Sequence, residues 1–136
     1  MKLHAFRLYP GEDLKKKIED YSREKEIKAA AIITCVGSLT SAHLRLADEN
    51  IKRRYEEKFE IVSLVGTISE DGCHLHMSIA DSNGKVIGGH LLEECIIYTT
   101  AEVIIGEIEE FVFLREYDDK TGFDELKVKE PYFKKL

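Results

Sequence analysis

The sequence predicts a single α+β domain in which many strands accompany one helix. Two observations carry this. The apolar periodicity is helical only once, over about Glu12–Lys25, and changes to a period of two from Ala29 onward. A later segment, Ile96–Ile108, is almost continuously apolar, as in a strand buried on both faces. The length agrees, since 136 residues is the size of one domain.

The elements follow in order. Leu3–Tyr9 alternates, with Leu3, Ala5 and the Arg7 stem on one side and His4, Phe6 and Leu8 on the other. Pro10–Gly11 ends it. In the helix, Leu14, Ile18 and Tyr21 make one apolar stripe, and Glu12 and Asp13 sit at the positive end of the dipole. Its remaining charge is mixed, with six basic and six acidic residues from Glu12 to Lys28, as on a solvated face. Ala29–Val36 reads as a short buried strand interrupted by Gly37. Leu39–Ala47 then alternates, with Ala42, Leu44 and Leu46 opposite Ser41, His43 and Arg45. Ile51–Lys58 reads as a charged edge strand. Phe59–Ser69 and Cys73–Asp81 are two strong strands around the turn Glu70–Gly72, and Val86–His90 follows another turn. Phe111–Glu116 and Leu126–Val128 flank a loop, Tyr117–Glu125.

The Ile96–Ile108 strand carries Ile97, Ala101, Val103 and Ile105 together with Ile96, Tyr98, Ile104 and Ile108. One helix cannot cover both faces of a sheet. Either the sheet curls on itself or another subunit supplies the second cover, and an oligomer is the expectation because a monomer would expose a large apolar patch.

Composition narrows the partners. The charge sums to −6, which opposes wholesale wrapping of DNA or RNA. Glu102–Glu125 holds nine acidic and two basic residues, and the one basic trio, Lys52, Arg53 and Arg54, alternates faces as a weak nucleic-acid stripe or an ordinary solvated edge. Three cysteines, Cys35, Cys73 and Cys95, do not make a closed disulfide framework and suit a reducing cytoplasm. No signal-peptide pattern and no membrane-length apolar run is present, so no membrane partner is expected. No Gln, two Asn and many Lys and Glu give a thermophilic composition.

The most chemical segment is Gly72–His90. Along a strand His74 and His76 share a face with Ser78 and Ala80, while Cys73, Leu75, Met77 and Ile79 take the apolar one. The turn Asp81–Lys85 decides the position of His90. A three-residue loop with Gly84 left-handed pairs Asp81 with Lys85 and sets His76 opposite His90. A two-residue Asn83–Gly84 turn sets His90 opposite Met77 instead, unless a bulge at Gly88–Gly89 restores the face. In the first register three imidazoles meet, as in a zinc site with an open fourth position. Zinc leads, with nickel, copper or iron as other ions. The competing reading is a set of partly buried histidines bonded to carbonyls and hydroxyls. Glu93 or Glu94 would be a nearby second-shell acceptor. His4 and His43 have no comparable spacing and read as structural or solvated. Gly88–Gly89 reads as a bulge or a close backbone approach rather than a phosphate loop. No spacing suggests a nucleophile elbow or hydrolase triad, so no catalytic residue is assigned.

Gly37–Leu39, Ala42–Arg45, Phe59–Ser69, His74–Asp81, Gly84–His90 and Thr99–Glu102 together resemble the plant and prokaryote conserved (PPC) domain, over about residues 3–128. The resemblance implies one domain over 1–136 with a C-terminal tail from 129. It implies a curved, mainly antiparallel sheet with one main helix packed on it, and assembly as a homotrimer. In plants this domain follows an AT-hook that enters the DNA minor groove. Prokaryotic members are commonly labelled DNA-binding by similarity, so a regulatory, transcription-related homotrimer contacting DNA or a regulatory protein is the first functional expectation. This sequence has no AT-hook and is acidic. The plant segment matching Phe59, Glu60, Ile61, Val62, Ser63 and Leu64 mediates protein contacts, and Gly88 and Gly89 join that interaction and oligomer set. Prokaryotic forms retain His74, His76 and His90, which implies a metal or ligand site. The alternative function is thus a histidine-held zinc site that binds or transforms a small molecule.

Overall fold

The computed structural model describes residues 1–48 and 50–130. The elements are β1 (Lys2–Leu8), α1 (Leu14–Glu24), β2 (Ala29–Arg45), β3 (Lys52–Tyr55), β4 (Phe59–Ser69), β5 (Gly72–Ala80), β6 (Val86–Leu91), β7 (Ile96–Glu107), β8 (Val112–Asp118) and β9 (Phe123–Lys129). The α+β class stands: every pairing among the described residues is antiparallel, and one short helix accompanies the strands. Most of the expected tail, residues 131–136, lies outside the described residues. No helix among them is long and apolar enough to cross a membrane.

Seven strands form the main sheet in the order β1-β7-β2-β4-β5-β6, with β3 on the far half of β2. The sheet returns on itself, because β6 also pairs with β2 through Leu44↔Leu91 and Arg45↔His90. β2 is the correction to the sequence reading. It is one strand of 17 residues, not two short ones broken at Gly37. Gly37 is paired on both sides, with Ile61 of β4 and Ala101 of β7. A Cβ there would stand 2.1 Å from the Thr100 carbonyl oxygen, so glycine is what lets three strands close up at this point. Register shifts on either side of it bend the strand.

α1 begins at Asp13, whose side chain accepts from the Lys16 amide at 3.0 Å. Leu14 and Ile18 are buried beneath it, and Tyr21 stacks on Phe6 with ring centroids 4.1 Å apart. His4 is structural: its ring bonds Tyr21 Oη at 3.0 Å and Glu107 Oε1 at 2.8 Å, tying β1 to the helix and to β7. The core inside the curved sheet is built from Leu39, Leu44, Ile68, Leu75, Ile79 and Ile105 with α1 as its lid. The two faces of β7 differ more than its composition suggests. Ile97, Ala101, Val103 and Ile105 are buried, while Ile96 and Ile104 are half-buried and Tyr98 is exposed. Cys35, Cys73 and Cys95 are all free, and burial pushes the thiols of Cys35 and Cys73 up to about 12 and that of Cys95 to about 11.

β8 and β9 form a separate hairpin. The sequence predicts a loop over Tyr117–Glu125, yet Tyr117, Asp118 and Phe123–Glu125 are in register and only the tip turns. The hairpin is fixed to the sheet by its backbone. The Phe113 amide donates to the Lys28 carbonyl at 3.0 Å, and the Arg115 amide donates to Asp71 Oδ2 at 2.9 Å.

Gly37→Ala is expected to lower stability by about 1–3 kcal/mol, as for other overpacked interiors. The check is the midpoint of urea unfolding, and an unchanged midpoint would remove Gly37 from its role at the bend.

Candidate metal centre

The turn after β5 fixes the site. The Asp81 amide donates to the Lys85 carbonyl at 2.9 Å, the Gly84 amide donates to the Asp81 carbonyl at 2.9 Å, and Gly84 takes φ +78°. Asp81 Oδ1 accepts from the Asn83 and Lys85 amides, both at 2.9 Å. This is the three-residue loop, and it sets Ser78 opposite Gly88 and His76 opposite His90. Directly opposed residues share a face. His74, two residues back along β5, completes the group.

The ring centroids of His74 and His76 are 5.1 Å apart, those of His74 and His90 5.1 Å, and those of His76 and His90 5.6 Å. One nitrogen of each ring lies within 4.8 Å of the others. His74 and His90 are half-buried and His76 is exposed. Burial holds His74 below the ordinary imidazole range, with Arg115 adding to the effect. Burial, then Arg45 and the neighbouring imidazoles, lowers His90 to about 4. Both rings are therefore neutral at pH 7, the form that ligates metals. His90 Nδ1 is shut off from solvent with no hydrogen-bond partner among the described residues. A buried polar nitrogen left so costs about 1–3 kcal/mol, a cost that a ligand or ion bonded to it would remove. Two neutral imidazoles, a third imidazole beside them and one orphaned nitrogen fit a zinc-type ion.

Other predicted residues fall elsewhere. Glu93 and Glu94 do not support the histidines. Glu93 pairs with Lys16 at 3.8 Å, and its carbonyl bonds the His43 ring at 2.9 Å, while Glu94 pairs with Arg54. Lys52, Arg53 and Arg54 lie exposed on edge strand β3, with Arg54 engaged by Glu94. Phe59, Ile61 and Leu64 are buried in the protomer's own core, so only Glu60, Val62 and Ser63 of that segment face outward. Gly88 and Gly89 are explained by close approach. A Cβ on Gly88 would meet the Met77 carbonyl oxygen at 2.6 Å, and one on Gly89 the Arg45 carbonyl oxygen at 2.6 Å.

The sequence reading missed the surroundings of the histidines. A cleft of about 350 Å³ opens over His74 and His90, lined also by Arg45, Arg115, Phe123 and the carboxylates of Glu19, Asp71, Asp124 and Glu125. Arg45 had a visible signal, its place on the polar face of an alternating strand. Arg115 and Phe123 had none, because the hairpin that brings them is distant in sequence.

The profile of the Plants and Prokaryotes Conserved (PCC) domain matches residues 1–109. The chain belongs to this family. The PCC-domain chain is 41% identical over 128 residues to the bifunctional protein GlmU of a Synechococcus strain, covering 94% of this chain but only 20% of that relative. It is 30% identical over 112 residues to the AT-hook motif nuclear-localized protein 2 of Arabidopsis thaliana, covering 76% of this chain and 33% of the relative. Among solved structures, a Salmonella enterica protein matches with TM-score 0.92 at 34% identity, covering 95% and 94% of the two chains. A metal-containing protein from Archaeoglobus fulgidus matches with TM-score 0.78 at 32% identity, covering 93% and 94%.

The low value at His90 has a sign that can be tested on metal-free protein. Between about pH 4 and 6.5 the unfolded chain binds a proton at His90 that the folded chain refuses, so stability falls as pH drops through that window. His90→Gln is expected to flatten this dependence, measured by urea unfolding at several pH values. In the wild type, nitrogen chemical shifts should show a neutral His90 ring at pH 5.5. A protonated ring at that pH would contradict the assignment.

Proposed function

We propose that this PCC-domain protein is a metal-binding module in which His74, His76 and His90 hold a zinc-type ion and leave a position open to a small molecule. The observation that carries the reading is the convergence of one ring nitrogen from each of the three histidines within 4.8 Å. The metal-containing Archaeoglobus fulgidus protein supports it. When bound, a zinc-type ion supplies a Lewis-acid position. The chain's own part is to hold His74 and His90 neutral, to fix the three imidazoles on two paired strands, and to flank His74 and His90 with the β8–β9 hairpin. Protein purified without a histidine tag is expected to carry about one metal ion per chain by elemental analysis, and His76→Ala to lose it. Metal content far below one per chain and unchanged in the variant would end the reading.

A second reading concerns assembly and the family's link to DNA. Val36 on β2, Val62 and Val65 on β4 and Tyr98 on β7 are exposed on the main sheet. Such a patch suits the homotrimer that the family resemblance implies, with Glu60, Val62 and Ser63 as the outward part of the interaction segment. The AT-hook relatives favour a DNA-associated regulatory role, while the net charge of −6 and the pairing of Arg54 oppose direct contact with the duplex. Sedimentation is expected to give a trimer that Val62→Glu dissociates. The wild type should leave duplex DNA unretarded in a low-salt gel-shift. A monomeric wild type would reject the trimer, and salt-sensitive retention would restore the DNA role.

A further inference from the structure

Two arginines bracket the three histidines. Arg45 is the register partner of His90 across β2 and β6, so it shares the histidine face on one side. On the other side, Arg115 Nη2 bonds Thr67 Oγ1 at 3.2 Å, and Thr67 is the register partner of His74. Both arginines are half-buried, and neither is in an ion pair among the described residues. Phe123 at the start of β9 lies over Arg45, with the guanidinium 5.8 Å from the ring centroid.

The cleft lining carries three cations, Lys15, Arg45 and Arg115, and four carboxylates, Glu19, Asp71, Asp124 and Glu125, so a divalent ion at the imidazoles would turn it net positive. Neutral imidazoles bring no negative charge, so a divalent ion held by them would stand between two guanidiniums. The carboxylates on the lining are largely committed. Glu19 accepts from the Cys73 amide at 3.0 Å and lies 3.8 Å from Lys15, and Asp71 accepts from the Arg115 amide. Asp124 and Glu125 remain on the rim, and Glu125 is close enough to His74 to raise its proton affinity. Desolvated positive charge of this kind calls for an anion. The planar fork of arginine matches the paired oxygens of carboxylates and phosphates. A cleft of about 350 Å³ admits a small molecule. Glu116, Asp118 and Asp119 of the same hairpin lie outside the cleft lining and oppose a polyanion.

We propose that the cleft binds a small oxyanion, a carboxylate- or phosphate-bearing molecule, clamped by Arg45 and Arg115 beneath Phe123. This rests on the metal reading above and names the class of ligand for its open position. Arg115 and Phe123 lie beyond residues 1–109, the part that the family profile matches.

The test is calorimetric titration of the full chain, zinc-loaded and with its metal content measured in the same sample, using inorganic phosphate and succinate as separate probes. At least one probe is expected to bind, and preference between them identifies the phosphate or the carboxylate class. Arg45→Gln and Arg115→Gln should each weaken binding about tenfold or more with zinc content unchanged, as for loss of one charge-assisted contact. Arg45→Lys and Arg115→Lys should recover part of the loss, since charge returns without the fork. Binding of neither probe to zinc-loaded protein overturns the inference, and so does equal binding to wild type and both glutamine variants, provided thermal melts show them folded. A wild type that holds no zinc defeats the metal reading first, and the inference falls with it.

Discussion

Strand β2 is paired along both edges, and most of the molecule follows from how it meets that demand. Its first half lies between β7 and β4, and its second half between β3 and β6. Every backbone group of a buried strand needs a partner, so a strand that changes neighbours midway must bend without losing its ladder. Gly37 and the flanking register shifts provide the bend. The far half then reaches β6, and the sheet turns back on itself. That contact also seats Arg45 beside His90, so the element that shapes the core places a charged group at the histidines.

Features set by neighbouring residues were legible in the sequence. The helix followed from Leu14, Ile18 and Tyr21, and the β4–β5–β6 strands from their alternation. The imidazole cluster followed from one turn, because Asp81 and Lys85 fix which residues oppose each other for the rest of the hairpin. Features set by remote packing were not legible. Gly37 looks like a breaker until the Thr100 carbonyl beside it is known. Glu93 and Glu94 looked close to the histidines in sequence, but the left-handed backbone of Glu94, φ +79°, belongs to a turn that delivers both carboxylates to Lys16 and Arg54. Phe59, Ile61 and Leu64 belong to the expected contact segment, yet alternation sends Phe59 and Ile61 into the core, and the register shift after Ile61 sends Leu64 there too.

Charge is distributed unlike its sum. The net of −6 describes the whole surface and the acidic hairpin. Inside the cleft burial is the main reason that His90 and His74 resist protonation, and Arg45 and Arg115 add to it. A total charge thus speaks to large partners that feel the whole field, and a local one to a ligand small enough to enter.

The cysteines have a consequence for such a centre. Cys35 and Cys95 are buried and Cys73 is half-buried at the cleft wall, burial disfavours the thiolate of each, and none is among the converging ligands. The thiolate is the form that oxidises and that competes for soft metals. An all-imidazole centre in this protein would therefore keep its ion through swings in cellular redox state, and its occupancy would report metal supply and acidity instead.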